Sequence, residues 1–270
     1  MARNDDIEAA RRRGDMTDLE FDHHADEEVA RGRPHPEGVL AAVERATARL
    51  LTMLEGMDDL SVREPSLLPG WNRAHVISHL ARNADGCANL LTWARTGVEH
   101  TMYASKQDRD ADISEGARRG HRLLVEDLAA ASGRLAEAFR TLPSPSWLFE
   151  VEVAPGKPVP AREIPRIRLH EVRVHSVDLD FGFGFDDIPR HEIEWLLNDT
   201  VRQLGGRPDV PPLALHVEFT DGRGGTWRLG TPGSPEHRVR GSAGTVLGWL
   251  LGRTSADGLS GDPPELPPWL

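Results

Sequence analysis

Four long stretches place apolar side chains at helical spacing, and together they restrict the chain to a fold built from packed helices. The first, "EGVLAAVERATARLLTMLEG", sets Val39, Val43, Leu50 and Leu54 on one face and ends at a glycine, Gly56. A second runs from about Asn72 to Arg95, after the turn-rich "REPSLLPGW". A third covers about 117–141, and a fourth about 161–181, after the Pro- and Gly-rich "VAPGKPVP". Four amphipathic helices joined by loops predict a four-helix bundle.

Beyond "FGFGFDDIP" the texture changes. "RHEIEWLLNDTVRQLGG" reads as a helix, and "LALHVEFT" and "GTWRLG" as a hairpin around "DGRG". "HRVRGS" reads as a short strand and "AGTVLGWLLG" as a closing helix. The fold class expected is therefore α+β, with a flexible tail over 1–35, a helical bundle over 36–184 and a smaller α+β domain over 185–270. The tail is assigned from its mixed charge and missing apolar period. His23 and His24 within it lack a scaffold that would fix a coordination geometry.

A formal net charge of −11 over 270 residues argues against nucleic acid or an anionic membrane as partner. No apolar run is long enough to span a bilayer, and the charged N-terminus lacks the apolar core of a signal peptide. The expectation is a cytoplasmic protein, and a monomer, because no exposed apolar stripe stands out. The only cysteine, Cys87, excludes an internal disulfide, and its neighbours Ala84, Ala88 and Leu90 mark it as a buried, inert thiol.

Projecting the fourth helix at about 100° per residue places Glu171 and His175 inside an apolar arc made by Ile167, Val172, Val174 and Leu179. Arg168 and Asp178 fall at nearby angles. A charge on that side must be paired, hydrogen-bonded or bound to a cation. One reading is an internal salt-bridge cluster of Arg168, Glu171, His175 and Asp178. In the second helix, however, His79 and Asn83 point into the arc of Val76, Leu80, Leu90, Leu91 and Ala94, with His75 at its edge. Two imidazoles and a carboxylate projecting from facing helices make a three-ligand metal site with one position open, an arrangement suited to catalysis.

Five segments in fixed order, "LLPGWNRAHVISHLARNA", "LLTWARTGVEHTMYASKQDRDADI", "HEVRVHSVDL", "LGRTSADGL" and "PPELPPWL", resemble those of the mycothiol-dependent maleylpyruvate isomerases. These belong to the DinB-like superfamily of metal-binding helical bundles, and the resemblance runs from about residue 36 to the C-terminus. It implies His79, Glu171 and His175 as ligands of a divalent metal, most often zinc. Arg109 is implied as a catalytic arginine and Arg253 as a residue at the mouth of the site.

The resemblance further implies mycothiol as a thiol cosubstrate and a small dicarboxylate substrate. The reaction would be cis–trans isomerisation of maleylpyruvate to fumarylpyruvate, by thiolate addition, bond rotation and elimination. Arg109 and Arg253 would take the carboxylates, with Tyr103 lining the pocket, and Asp178 and Asn83 would orient ligands from behind. A mycothiol S-transferase on the same scaffold and a non-catalytic metal-sensing bundle are the two other classes left open. An arginine at 109 favours a small dicarboxylate over a bulky apolar electrophile.

Overall fold

The computed structural model describes residues 36–230 and 236–269, so the tail expected over 1–35 lies outside the described residues. Helix α1 spans Glu37–Glu55, α2 Arg73–Thr96, α3 Lys106–Gly116, α4 His121–Thr141 and α5 Ile164–Asp178. Strands β1 (Glu150–Ala154) and β2 (Lys157–Pro160) form an antiparallel hairpin before α5. The chain divides into two compact units, the first reaching Phe181 and the second beginning at Gly182.

Helices α1, α2, α4 and α5 pack as a bundle whose interior includes Leu50, Leu54, Ile77, Leu80, Leu90, Leu128, Leu135 and Val172. The ends of α2 show why it forms where it does. Asn72 caps its start by accepting from the backbone N–H of His75 at 3.1 Å, and Gly97 ends it in the left-handed conformation at φ 71°. The fold class read from the sequence, a helical bundle followed by an α+β region, is the one observed.

Three details differ from the sequence reading. Helix α3 was not expected, because only Ile113 and Gly116 of it are buried and no apolar stripe announces it. It is set instead by its cap, with Ser105 accepting from the N–H of Asp108 at 3.0 Å. The next helix starts at His121, not near 117, because Ala117–Gly120 form the turn that closes α3. The stretch read as a loop before α5 is the β1–β2 hairpin, which turns at Gly156 with φ 72°.

In the second unit α6 (Arg190–Gly205) and α7 (Ala243–Leu250) pack on a sheet of order β4-β3-β5-β6. Its strands are β3 (Leu213–Glu218), β4 (Gly224–Leu229), β5 (His237–Ser242) and β6 (Ser260–Gly261). β3 pairs antiparallel with β4, as the hairpin pattern predicts, and parallel with β5. Among the described residues no helix is long and apolar enough to cross a membrane.

Close packing makes the bundle sensitive to lost volume. Leu128, fully buried on α4, leaves a cavity when shortened, and Leu128→Ala is expected to cost about 2–5 kcal/mol in chemical denaturation of the metal-free protein. A loss below about 1 kcal/mol would contradict this packing.

Candidate metal centre

Helices α2 and α5 pack against each other and bring three donor atoms together. His79 of α2 is 4% exposed. Its Nε2 lies 2.8 Å from Oε2 of Glu171 and 3.1 Å from Nε2 of His175. Glu171 Oε2 and His175 Nε2 are 3.3 Å apart. The four-residue spacing on α5 stacks Glu171 and His175 on one face, and His79 completes a triangle from the facing helix.

The donor set fits a divalent cation. Tetrahedral zinc, with ligand distances of about 2.0–2.1 Å, needs ligand atoms about 3.3 Å apart, close to the separations here. Two imidazole nitrogens and one carboxylate oxygen would hold such a cation with three protein ligands and leave it able to take an incoming group.

Neighbouring groups fix the protonation of each donor. Burial favours the neutral form of His79 and lowers its pKa, despite the hydrogen bond to Glu171. Burial pulls the Glu171 pKa upward, but hydrogen bonds from His175 and His79 outweigh this and hold it well below the usual carboxylate value. Burial would likewise lower the His175 pKa, yet Asp178 and Glu171 reverse the sign and raise it to about 9. The Asp178 contact is direct: His175 Nδ1 donates to Oδ2 of this fully buried carboxylate at 2.7 Å. That leaves Nε2 of His175 aimed at the other donors, the orientation typical of metal-binding histidines.

Arg109 reaches the same cluster from α3. One terminal nitrogen donates to His79 Nδ1 at 3.3 Å, and the other pairs with Asp110 at 2.8 Å. The guanidinium also sits over the Tyr103 ring, 5.6 Å from its centroid. Burial pushes the Tyr103 phenol up to about 12, so the ring stays uncharged. The close approach of α3 to α2 depends on Gly116, where an added Cβ would fall 2.2 Å from Oγ of Ser78, beside His79.

Other residues singled out in the sequence have contacts of their own. Asn83 is buried, but its Oδ1 is occupied by Arg168, which donates to it and to the Leu80 carbonyl at 2.8 Å each. Arg168 thus faces α2 instead of pairing within the α5 cluster. His75 belongs to the α2 cap, with Nδ1 2.6 Å from Oδ1 of Asn72. Cys87 is fully buried, and burial raises its thiol to about 12, so it stays protonated at neutral pH. Arg253 belongs to the second unit, where it donates to the Leu251 carbonyl at 2.7 Å.

One contributor was missed. The Trp71 ring lies 5.7 Å from that of His79 and 6.0 Å from that of His75, beside the candidate donor. An aromatic residue directly before the cap of the helix that carries His79 was the available signal.

With this geometry in place, similarity to known proteins is informative. Residues 43–180 match the model described as the mycothiol maleylpyruvate isomerase N-terminal domain, and residues 187–268 match the C-terminal domain of the same proteins. The chain belongs to this family. Two solved structures described as mycothiol-dependent maleylpyruvate isomerase, one of them a histidine-to-alanine variant, are each 31% identical to it. Their TM-scores are 0.76 and, for the variant, 0.78, and each alignment covers 86% of this chain and 96% of the other. No curated protein sequence matches. The two matches together span both units of this chain.

The pKa of His175 sets how metal uptake should respond to pH. Its Nε2 carries a proton below about 9 that a cation must displace. Apparent metal affinity is therefore expected to rise about tenfold per pH unit between about 7 and 9, then level off. The sign for stability is opposite in the metal-free protein. Stabilisation from the raised pKa is complete below about 6.5 and disappears as pH rises through about 9. Competition against a chromophoric chelator across this range measures the first effect, and a pH-independent affinity would count against the assigned protonation.

Proposed function

We propose that the protein is a mycothiol-dependent maleylpyruvate isomerase acting in the cytoplasm on small solutes, with His79, Glu171 and His175 holding a divalent cation, most simply zinc. The observation that carries this reading is the convergence of two imidazole nitrogens and one carboxylate oxygen beside the Arg109 guanidinium. Family membership supports the substrate and thiol, which are the ones the similar structures are described as using.

Cis–trans isomerisation requires a conjugated double bond to become single for a time. Thiolate addition does this: the sulfur bonds to one alkene carbon, and the displaced electron pair moves onto the conjugated carbonyl oxygen as an enolate. The single bond then rotates. Collapse of the enolate restores the double bond in the trans form and expels the thiolate, with no net proton change. The chain's own thiol is unsuited to this, since Cys87 is buried and protonated, so the nucleophile must come from outside.

When bound, the cation would lower the pKa of a thiol in its open position. The residues of the chain supply the rest. Asp178 fixes the tautomer of His175 so that Nε2 is the free donor. Arg109 presents donors beside the site, suited to a carboxylate and to the negative charge that develops on the enolate oxygen. Tyr103 supports the guanidinium from beneath with a neutral ring. Trp71 packs its ring, tilted, beside that of His79.

The test is turnover of maleylpyruvate, followed by its ultraviolet absorbance, with zinc-loaded protein in the presence and absence of mycothiol. Arg109→Ala is expected to reduce kcat/KM about 100-fold or more, in the range for losing a donor to a developing oxyanion. Turnover without thiol, or an Arg109→Ala variant with unchanged kcat/KM, would overturn the mechanism. A zinc-loaded protein that consumes mycothiol with an electrophile but leaves maleylpyruvate untouched would replace it with the S-transferase reading.

A further inference from the structure

The segment from Ser61 to Arg73 touches every element that contributes to the site. Trp71 lies against His79 on α2. Arg63 donates to the carbonyls of Ala117, Arg118 (3.2 Å) and Arg119 (2.5 Å), at the C-terminal end of α3, the helix that carries Arg109. The backbone N–H of Leu67 donates to the Asp178 carbonyl at 2.9 Å. Arg73 does the same work for the end of α5. Its Nε donates to the Leu179 carbonyl at 2.6 Å and its Nη2 to the Asp180 carbonyl at 2.7 Å.

The last carbonyls of a helix have no partner within it, and a cation placed there is also favoured by the helix dipole. Arg73 takes the carbonyls of the capping residue Leu179 and of Asp180 just past the helix, and places its charge at that end, from an almost buried position, 7% exposed. Its other terminal nitrogen, Nη1, is held by Glu64 Oε2 at 2.6 Å and the Ser61 carbonyl at 3.2 Å, and the guanidinium lies over the Phe181 ring. The chain leaves α5 through Asp180 in the left-handed region, at φ 48°, so the path after His175 is tightly bent. Arg73 is also the first residue of α2, six positions before His79. One side chain thus ties the start of the His79 helix to the end of the helix bearing Glu171 and His175.

We propose that Arg73 is a positioning residue for the metal centre, setting the distance between His79 and the Glu171–His175 pair, while Arg63 positions the Arg109 helix and not the metal ligands. This rests on the three-ligand reading given above. The planar fork matters, because Nε and Nη2 address two successive carbonyls at once; a lysine ammonium keeps the charge but not that geometry. Metal sites tolerate only about 0.2 Å of error in ligand distance, so a small slide of α5 against α2 is enough to weaken binding.

Cobalt(II) affinity, measured by competition with a chromophoric chelator, separates this role from plain stabilisation when read beside the thermal midpoint of each metal-free variant. Arg73→Lys is expected to weaken cobalt binding about tenfold to 100-fold, the usual effect of groups that orient ligands. Arg63→Met is expected to keep cobalt affinity within about twofold while lowering the midpoint and the turnover that depends on Arg109. Glu64→Gln, which frees one side of Arg73 at an exposed position, gives a smaller loss in the same direction and serves if Arg73→Lys does not fold. Unchanged cobalt affinity in Arg73→Lys, or in Glu64→Gln where that variant stands in, overturns the assignment; so does an equal loss in Arg63→Met. Wild-type protein that takes up no cobalt would instead overturn the three-ligand reading on which it rests.

Discussion

A carboxylate held between two imidazoles inside a helical bundle is the constraint to which the rest of the first unit is fitted. Partly removing Glu171 from water is costly; His175 meets it from the same helix, but the bond from His79 offsets that cost only if α2 and α5 keep a fixed separation. The surrounding polar groups serve that separation. Asp178 holds His175 from behind, Arg168 crosses to the Leu80 carbonyl one residue after His79, and Arg73 closes the far end of α5. The apolar core supplies the bulk of the stability, while these contacts decide where the donors point.

The charges around the centre also suit the chemistry assigned to it. Arg109 lies within hydrogen-bonding distance of His79, and Arg168 is fully buried on neutral acceptors, so two guanidinium groups accompany the half-buried Glu171 and the buried Asp178 carboxylates. Adding a divalent cation makes the interior net positive, favourable to a thiolate and a dianionic substrate. The lone cysteine is kept out of that role by burial.

Much of this was legible in the sequence because helical periodicity is a strong signal. Projection placed Glu171 and His175 on the buried side of one helix and His79 on that of another, and the three donors do meet. The same projection put Arg168 and Asn83 on the buried side, where both lie, but did not give their partners. It gives a direction around a helix axis but not how far a long side chain reaches, and Arg168 extends across to α2 to take Asn83 as its acceptor. Helix α3 was invisible because a helix with so little buried surface is specified by its cap and by the contact at Gly116, neither of which produces a period. The bracing by Arg63 and Arg73 was likewise hidden, since arginines before and at a helix start look like surface charges until their carbonyl partners, more than 50 residues away, are known.

The most direct test of the central claim is a cobalt(II) absorption titration, with and without mycothiol. The expected result is saturation at one equivalent with the intense visible bands of a four-coordinate site, lost in His79→Ala, and a new thiolate-to-cobalt charge-transfer band when mycothiol is added. Weak, non-stoichiometric uptake, or a stoichiometric site whose spectrum mycothiol leaves unchanged, would contradict a thiol-activating metal centre at His79, Glu171 and His175.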